Sequence, residues 1–257
     1  MNTTGNTILI TGGGSGIGRG LAEAFHKLGN HVIVAGRRKQ VLDETVAANP
    51  GMSSAVLDIE NAASIRAFTA KLVTDFPDLN AVIHNAGIMR PENLLDQPEE
   101  LTDAEAIITT NLLGPIRLTA ALLPHFQKLP RATILTVTSG LAFIPLAMTP
   151  TYNATKAAIH SYTQSLRYQL QSTNIKVIEI VPPYVQTELM GSQQASDPRA
   201  MPLVDYLNET INILKTQPDV SEVLVERVKP LRFSEQNGPE KYTAFFKQFN
   251  DAMAAPH

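Results

Sequence analysis

The sequence predicts an α/β protein built on a doubly wound parallel sheet, and two observations carry that reading. Short β-branched apolar runs recur at residues 7–11, 31–35, 55–58, 81–84, 133–137 and 176–181, each the length of a buried strand. Between them lie segments with helical spacing of apolar residues, at about 17–28, 38–48, 61–75, 102–127 and 151–172. Continuous apolar strands that alternate with helices form βαβ units covered on both faces, with right-handed crossovers. Six strands in the order 3-2-1-4-5-6, with helices on both faces, follow from this pattern, and ligands then bind at the carboxyl ends of the strands.

Composition narrows the class further. The 257 residues are 44% hydrophobic and 18% charged, with a formal net charge of -3, which excludes a disordered chain. Its 15 Gly and 17 Pro are too few for a collagen-like one. A chain of this length can bury one core, so a single domain over 1–257 is expected. The near-balanced charge offers no broad basic field, so the expected partner is a small molecule, with no nucleic acid and no membrane. The absence of cysteine excludes a disulfide framework, a thiolate nucleophile and a Cys-based zinc site, and fits a cytoplasmic protein. No basic, apolar leader precedes Ile8, and no apolar run reaches about 18 residues, so no membrane span is expected. The six His are scattered without H-E-x-x-H spacing, so no metal site is expected.

The first strand ends in Thr11-Gly12-Gly13-Gly14-Ser15-Gly16-Ile17-Gly18, directly before a helix carrying Leu21, Ala24, Phe25 and Leu28. Glycines at such a turn let the backbone approach a pyrophosphate, which sits against the unpaired N–H groups of the helix N-terminus. The G-x-G-x-x-G spacing fails here; T-G-x-x-x-G-x-G fits through Thr11, Gly12, Gly16 and Gly18. The second strand ends in Gly36-Arg37-Arg38, where an NAD site usually offers a carboxylate to the ribose. Two cations at a helix N-terminus oppose its dipole, and the 2′-phosphate of NADP would satisfy them. The cofactor expected is therefore NADP(H), favoured over NAD(H). The alternative is an ordinary solvated pair of arginines.

Asn111 interrupts the apolar pattern of the long helical segment 102–127, where Asn is a poor helix former, and so suggests a role beyond the helix. Ser139 closes the fifth strand and places a hydroxyl at the carboxyl edge of the sheet. Tyr152 and Lys156 stand at i and i+4, on one face of the next helix. An ammonium beside the phenol would favour phenolate and bring Tyr152 nearer to working pH as a general acid/base.

With these residues in place, the sequence resembles the short-chain dehydrogenase/reductase family over about residues 1–190, through Thr11-Gly12-x3-Gly16-x-Gly18, Asn85-Ala86-Gly87, Asn111, Ser139 and Tyr152-x3-Lys156. The resemblance implies a Rossmann-type fold whose turn through Gly12, Gly14, Ser15, Gly16, Ile17 and Gly18 holds the dinucleotide. It also implies adenine contacts at Asp58 and Ile59, support from Asn85, Ala86 and Gly87, and nicotinamide contacts at Pro182, Val185 and Thr187, beside Tyr152 and Lys156. His84 stands where the family often has Asn and reads as a satisfied core group. Pro183 stands where glycine is usual, and proline fixes φ and removes an N–H. The stretch from Pro182 to Leu189 is similar to a bacterial branch of the family labelled DltE-like.

The family mechanism implies hydride transfer between the nicotinamide and a carbonyl or secondary alcohol. In it Tyr152 is the proton donor, Ser139 holds the carbonyl oxygen, Lys156 lowers the Tyr152 pKa and binds ribose, and Asn111 holds a water. Leu141, Phe143 and Tyr184, with Ser139, are the expected substrate contacts. Leu146, Met190, Met201 and Leu203 lie nearby and favour an apolar or amphipathic carbonyl compound, and no basic cluster points to a strongly anionic one.

Residues 184–203, rich in Gln, Ser, Gly, Pro and Asp, read as a mobile lid, and 203–253 as a helical extension with helices at about 203–216, 220–230 and 239–253. No strand is evident beyond 220, and the last five residues are expected to fray. By resemblance, the helices beginning near Thr102 and Thr151 form a homodimer or homotetramer interface. Two other readings are a non-catalytic NADP-sensing protein, opposed by the intact Ser139, Tyr152 and Lys156, and nucleotide-sugar epimerase or dehydratase chemistry, whose members carry a longer C-terminal domain.

Overall fold

One parallel sheet organises the chain. Its strands are β1 (Thr7–Thr11), β2 (His31–Gly36), β3 (Ser53–Val56), β4 (Leu79–His84), β5 (Ala132–Val137), β6 (Ile175–Val181) and β7 (Glu222–Leu224), in the order β3-β2-β1-β4-β5-β6-β7. The computed structural model describes residues 1–96 and 99–254. The sheet is doubly wound, with the predicted order for its first six strands. The seventh strand corrects the sequence reading. It pairs in parallel with β6 (Glu179↔Glu222, Val181↔Leu224), and a short helix α9 (Lys229–Arg232) follows where one helix over 220–230 was expected. Val220, Val223, Leu224 and Val228 fall at helical spacing, and a strand of three residues is too short to show its own period.

The helices are α1 (Gly16–Lys27), α2 (Lys39–Ala48), α3 (Ala62–Asp75), α4 (Thr102–Ile108), α5 (Gly114–Phe126), α6 (Pro150–Gln169), α7 (Ser192–Ser196), α8 (Leu203–Thr216), α9 and α10 (Pro239–Ala254). Alternate strand residues feed two apolar layers. Ile8 and Ile10 pack with Leu21 and Phe25 of α1 and Tyr206 of α8 on one face of the sheet. Leu9 and Ile33 pack with Leu72 of α3 and Leu118, Leu122 and Phe126 of α5 on the other. Each of these fully buried large side chains contributes about 1.5–3 kcal/mol.

The predicted helix over 102–127 is continuous but irregular, with a π-helical turn at Thr109–Leu113 between α4 and α5. Contrary to the sequence expectation, Thr102–Phe126 is long and apolar enough to cross a membrane by length and composition. Its buried face, Leu118, Leu122 and Phe126, is spent on the core. His84 is buried as expected, and burial lowers its pKa to about 4. Its Nε2 meets Thr119 Oγ1 at 2.9 Å, but Nδ1 has no partner among the described residues, so it is only half satisfied. Met253 and Ala254 end α10; the rest of the tail expected to fray, residues 255–257, lies outside the described residues.

Candidate active site

Glycine is obligatory in the turn after β1. Gly12 has φ +66°, and a Cβ there would lie 2.9 Å from Ala86 Cα; a Cβ on Gly18 would lie 2.3 Å from the Gly12 carbonyl oxygen. The turn is locked from β4. Thr11 Oγ1 accepts from the backbone N–H of Asn85 and Ala86, both at 3.1 Å, and Asn85 Nδ2 donates to the carbonyls of Thr11 (3.1 Å) and Gly12 (3.3 Å). Ser15 takes the N-cap position of α1 without capping it through its side chain, and no acid stands in the first turn. The first N–H groups of α1 therefore keep the capacity to bind an anion. Ile17 packs against the core beside this turn, and Thr187 closes it from the lid side, 3.5 Å from where a Gly16 Cβ would stand.

The structure separates the two arginines. Arg37 donates to Glu60 Oε1 at 2.8 Å, so its charge is matched. Glu60 also accepts from Thr110 Oγ1 at 2.8 Å. Arg38 is the N-cap residue of α2 and reaches the Gly-rich turn, its Nη2 3.4 Å from Ser15 Oγ. Of the two, Arg37 has a carboxylate partner and Arg38 has none among the described residues. Asp58 accepts from the backbone N–H of Glu60 at 3.1 Å. Ile59 is buried, and its Cγ1 would meet a Cβ on Gly114 at 2.6 Å.

At the carboxyl end of β5, Ser139 is buried and starts a 3-10 turn, its Oγ accepting from the Leu141 N–H at 3.1 Å. Tyr152 and Lys156, both buried, face it from α6. Burial pushes the Tyr152 phenol up to about 12, partly offset by the Ser139 hydroxyl facing it. This corrects the sequence expectation that Lys156 would draw the phenol down. Lys156 donates to the Val137 carbonyl at 2.9 Å and lies 5.4 Å from the Tyr152 ring centroid, and burial lowers its own pKa to about 8. Desolvation therefore disfavours the charged form of both groups, and Tyr152 stands ready as a proton donor.

Asn111 lies in the π-turn. Its Oδ1 accepts from the Ile88 N–H and its Nδ2 donates to the Ile88 carbonyl, both at 2.9 Å, and Nδ2 also reaches Thr155 Oγ1 at 3.2 Å. The residue that looked wrong for a helix thus ties the Asn85-Ala86-Gly87 segment to α6. Glu92, which sequence reasoning missed, caps α6. Its carboxylate accepts from Thr151 N–H (2.9 Å) and Thr151 Oγ1 (2.7 Å), where the helix dipole favours a negative charge.

Ser139 and Tyr152 open into a cavity of about 260 Å³, walled by Leu141, Met148, Pro182, Pro183 and Tyr184. Two sequence expectations fail here. Phe143 is outside the cavity: its ring packs on His160 at 4.8 Å and under Arg232 at 4.6 Å. Met201 and Leu203 belong to the core, Met201 pairing with Val185 across the base of the lid loop. One basic group, Arg199, lines the cavity beside its carboxylate partner: it bonds Asp197 through Nε and Nη2 and holds that carboxyl down to about 2, so the pair makes no basic cluster. The lid loop is tied down internally: Gln194 Nε2 donates to the Val185 carbonyl (2.9 Å) and Thr187 Oγ1 (3.1 Å).

Met89, Phe249 and Met253 also line the cavity. The last two come from α10, which hangs on the active-site loops through Asn250, bonded to Pro145 O (3.1 Å) and the Ala147 N–H (2.6 Å). No local sequence signal connects residues so far apart; the only hint is that Met89, Met148, Met190 and Met253, four of the seven Met, meet in one cavity.

A family model for short chain dehydrogenases matches residues 6–198. An uncharacterized oxidoreductase, DltE, of Bacillus subtilis (strain 168) is 37% identical over 253 residues, covering 97% of this chain and 98% of its own. Among solved structures, a short chain dehydrogenase/reductase of Burkholderia phymatum in complex with NAD superimposes with a TM-score of 0.80 at 19% identity, covering 92% of this chain and 95% of its own. A short chain dehydrogenase of Burkholderia cenocepacia J2315 in complex with NADP gives 0.76 at 22% identity, covering 100% of both chains.

Proposed function

Because the chain belongs to the short-chain dehydrogenase family, as a DltE-like member, we propose that it is an NADP(H)-dependent oxidoreductase acting on a carbonyl or secondary alcohol of a small apolar or amphipathic compound. The observation that carries this reading is the meeting of Ser139 and Tyr152 at the wall of a largely apolar cavity, with Lys156 one turn further along the same helix. The Gly-rich turn fits a dinucleotide, since a Cβ at Gly12 or Gly18 would fill the close approach and the N-terminus of α1 keeps its N–H groups for a pyrophosphate. Thr11, Asn85 and Ala86 hold that turn, and Val185, Thr187 and Pro182 border the place of the nicotinamide. A bound nicotinamide dinucleotide supplies the hydride.

The chain's own residues do the rest. Ser139 Oγ orients the substrate oxygen, Tyr152 passes its phenolic proton to that oxygen, and Lys156, with a pKa near 8, is suited to return a proton to Tyr152. The apolar wall excludes water from the developing alkoxide. Arg38, beside Ser15, supports the preference for NADP(H), with Arg37 secondary because Glu60 already matches its charge. Exposed Ile108 and Leu113, and Tyr168 on α6, support a homodimer or homotetramer built on these helices.

Thermal unfolding with NADPH and, separately, with NADH tests the cofactor assignment without a guess at substrate. At a hundredfold excess over Kd, NADPH is expected to add about 2.7 kcal/mol. A larger rise with NADH would overturn the Arg38 argument. A rise with neither would overturn the enzyme reading.

A further inference from the structure

Glu179 is a carboxyl in the middle of a parallel strand with no exposed surface at all. Burying such a group costs several kcal/mol unless hydrogen bonds match it, so an apolar residue would serve the sheet better. Its partners lie on both sides of the catalytic set. Thr138, immediately before Ser139, donates its hydroxyl to Glu179 Oε1 at 2.7 Å. His160, one helical turn beyond Lys156 and two beyond Tyr152, places Nδ1 2.9 Å from each carboxyl oxygen. The tautomer that donates from Nδ1 also lets Nε2 accept from the exposed Gln164 amide at 3.1 Å. The His160 ring meets Phe143 edge-on at 4.8 Å, so α6 holds the segment 138–143 at both of its ends, with Ser139 between them.

The remaining charged neighbours are accounted for. Glu222, opposite Glu179 on β7, is paired through both oxygens with Arg232, at 2.8 and 3.0 Å. Arg167 donates to the Val177 and Ser221 carbonyls. Arg232 also feels the negative charges of Glu179 and Glu235. His160, Glu179 and Glu222 offer atoms within 4.8 Å of one another, as a metal site would, but the hydrogen bonds above already use them.

We propose that Glu179 and His160 are positioning residues that set the Ser139 hydroxyl against the Tyr152 phenol by fixing the end of β5 to α6. The inference rests on the roles given to Ser139 and Tyr152 under the proposed function, and its first test needs no substrate. In protein labelled with ¹³Cζ-tyrosine, the Tyr152 resonance, identified by its loss in Tyr152→Phe, reports how closely the Ser139 hydroxyl approaches the phenol. His160→Ala should move it to the position it takes in Ser139→Ala, and Glu179→Gln should move it the same way. His160→Asn, which keeps a donor near Nδ1, should leave it close to wild type.

With NADPH and acetophenone as the probe carbonyl, His160→Ala should lower kcat at least tenfold with the KM for NADPH unchanged, and should cause no further loss in a Ser139→Ala background. An unmoved Tyr152 resonance in both His160→Ala and Glu179→Gln, or an equal additional loss in the Ser139→Ala background, would overturn the proposal. If His160→Ala does not fold, Glu179→Gln and His160→Asn still decide it. Absence of wild-type turnover counts against the proposed function, and the Tyr152 resonance then decides the positioning role alone.

Discussion

Lys156→Met is expected to stabilise the protein while ending its activity, because Lys156 carries its charge where burial opposes it. Burial lowers its pKa from 10.5 to about 8; at about 1.36 kcal/mol per pH unit this is a cost of about 3 kcal/mol. Below pH 8 the folded and unfolded chains both hold the proton and the full cost applies. Between about 8 and 10.5 the folded chain has released the proton while the unfolded chain keeps it, so this group's contribution to stability rises with pH across that window. Methionine fills similar space without the charge, but it leaves the Val137 carbonyl without the donor it now has at 2.9 Å, a loss of about 1–2 kcal/mol. The net gain at pH 7 is then about 1–2 kcal/mol, or about 2–8 °C in Tm for a chain of this size. Urea unfolding of both proteins from pH 7 to 10 checks this, and the advantage should shrink as pH rises. A variant less stable than wild type at pH 7, or an advantage constant over that range, would refute the buried-charge argument.

Other substitutions probe the site piece by piece. Arg38→Ala should raise the Kd for NADPH about tenfold to a hundredfold, the loss of one charge-assisted contact, while leaving the Kd for NADH unchanged; Arg37→Ala should do less, as fluorescence titration would show. Gly18→Ala should destabilise the fold by about 1–3 kcal/mol and abolish the thermal shift with either dinucleotide, because its Cβ would lie 2.3 Å from Gly12 O. Phe249→Ala and Met253→Ala should raise the KM for an apolar ketone about tenfold and leave the NADPH thermal shift as it is, since both side chains line the cavity and neither touches the Gly-rich turn.

What the sequence made legible was whatever its local pattern encodes. Strand β1 and helix α8 fall where their spacing puts them, because a buried parallel strand and an amphipathic helix each leave a period within a few residues. The Gly-rich turn, Ser139 and the Tyr152/Lys156 pair were equally readable: each depends on one strand end or one helix face. Three things were not. Strand β7 has no period of its own and exists because β6 offers an open edge. Tyr152 is pushed up by burial, a property of the packed site that an i, i+4 spacing does not contain. Phe249 and Met253 reach the cavity only because Asn250 hangs α10 on the 145–147 backbone, a contact across about a hundred residues. Asn111 lies between these cases. Its poor fit to a helix was visible, but the π-turn and its two bonds to Ile88 were not.

The most direct test of the account is deuterium transfer from [4-²H]NADPH, labelled on each face in turn, to a panel of apolar ketones, followed by mass spectrometry of the alcohol. Wild type is expected to deliver the label to the carbinol carbon from one face. Tyr152→Phe should bind NADPH with the same thermal shift but transfer the label at least a hundredfold more slowly, as expected when a general acid is removed. Equal transfer by wild type and Tyr152→Phe would contradict the role of the Ser139–Tyr152–Lys156 site. Firm binding of NADPH without transfer by either would point to a nucleotide-sensing protein.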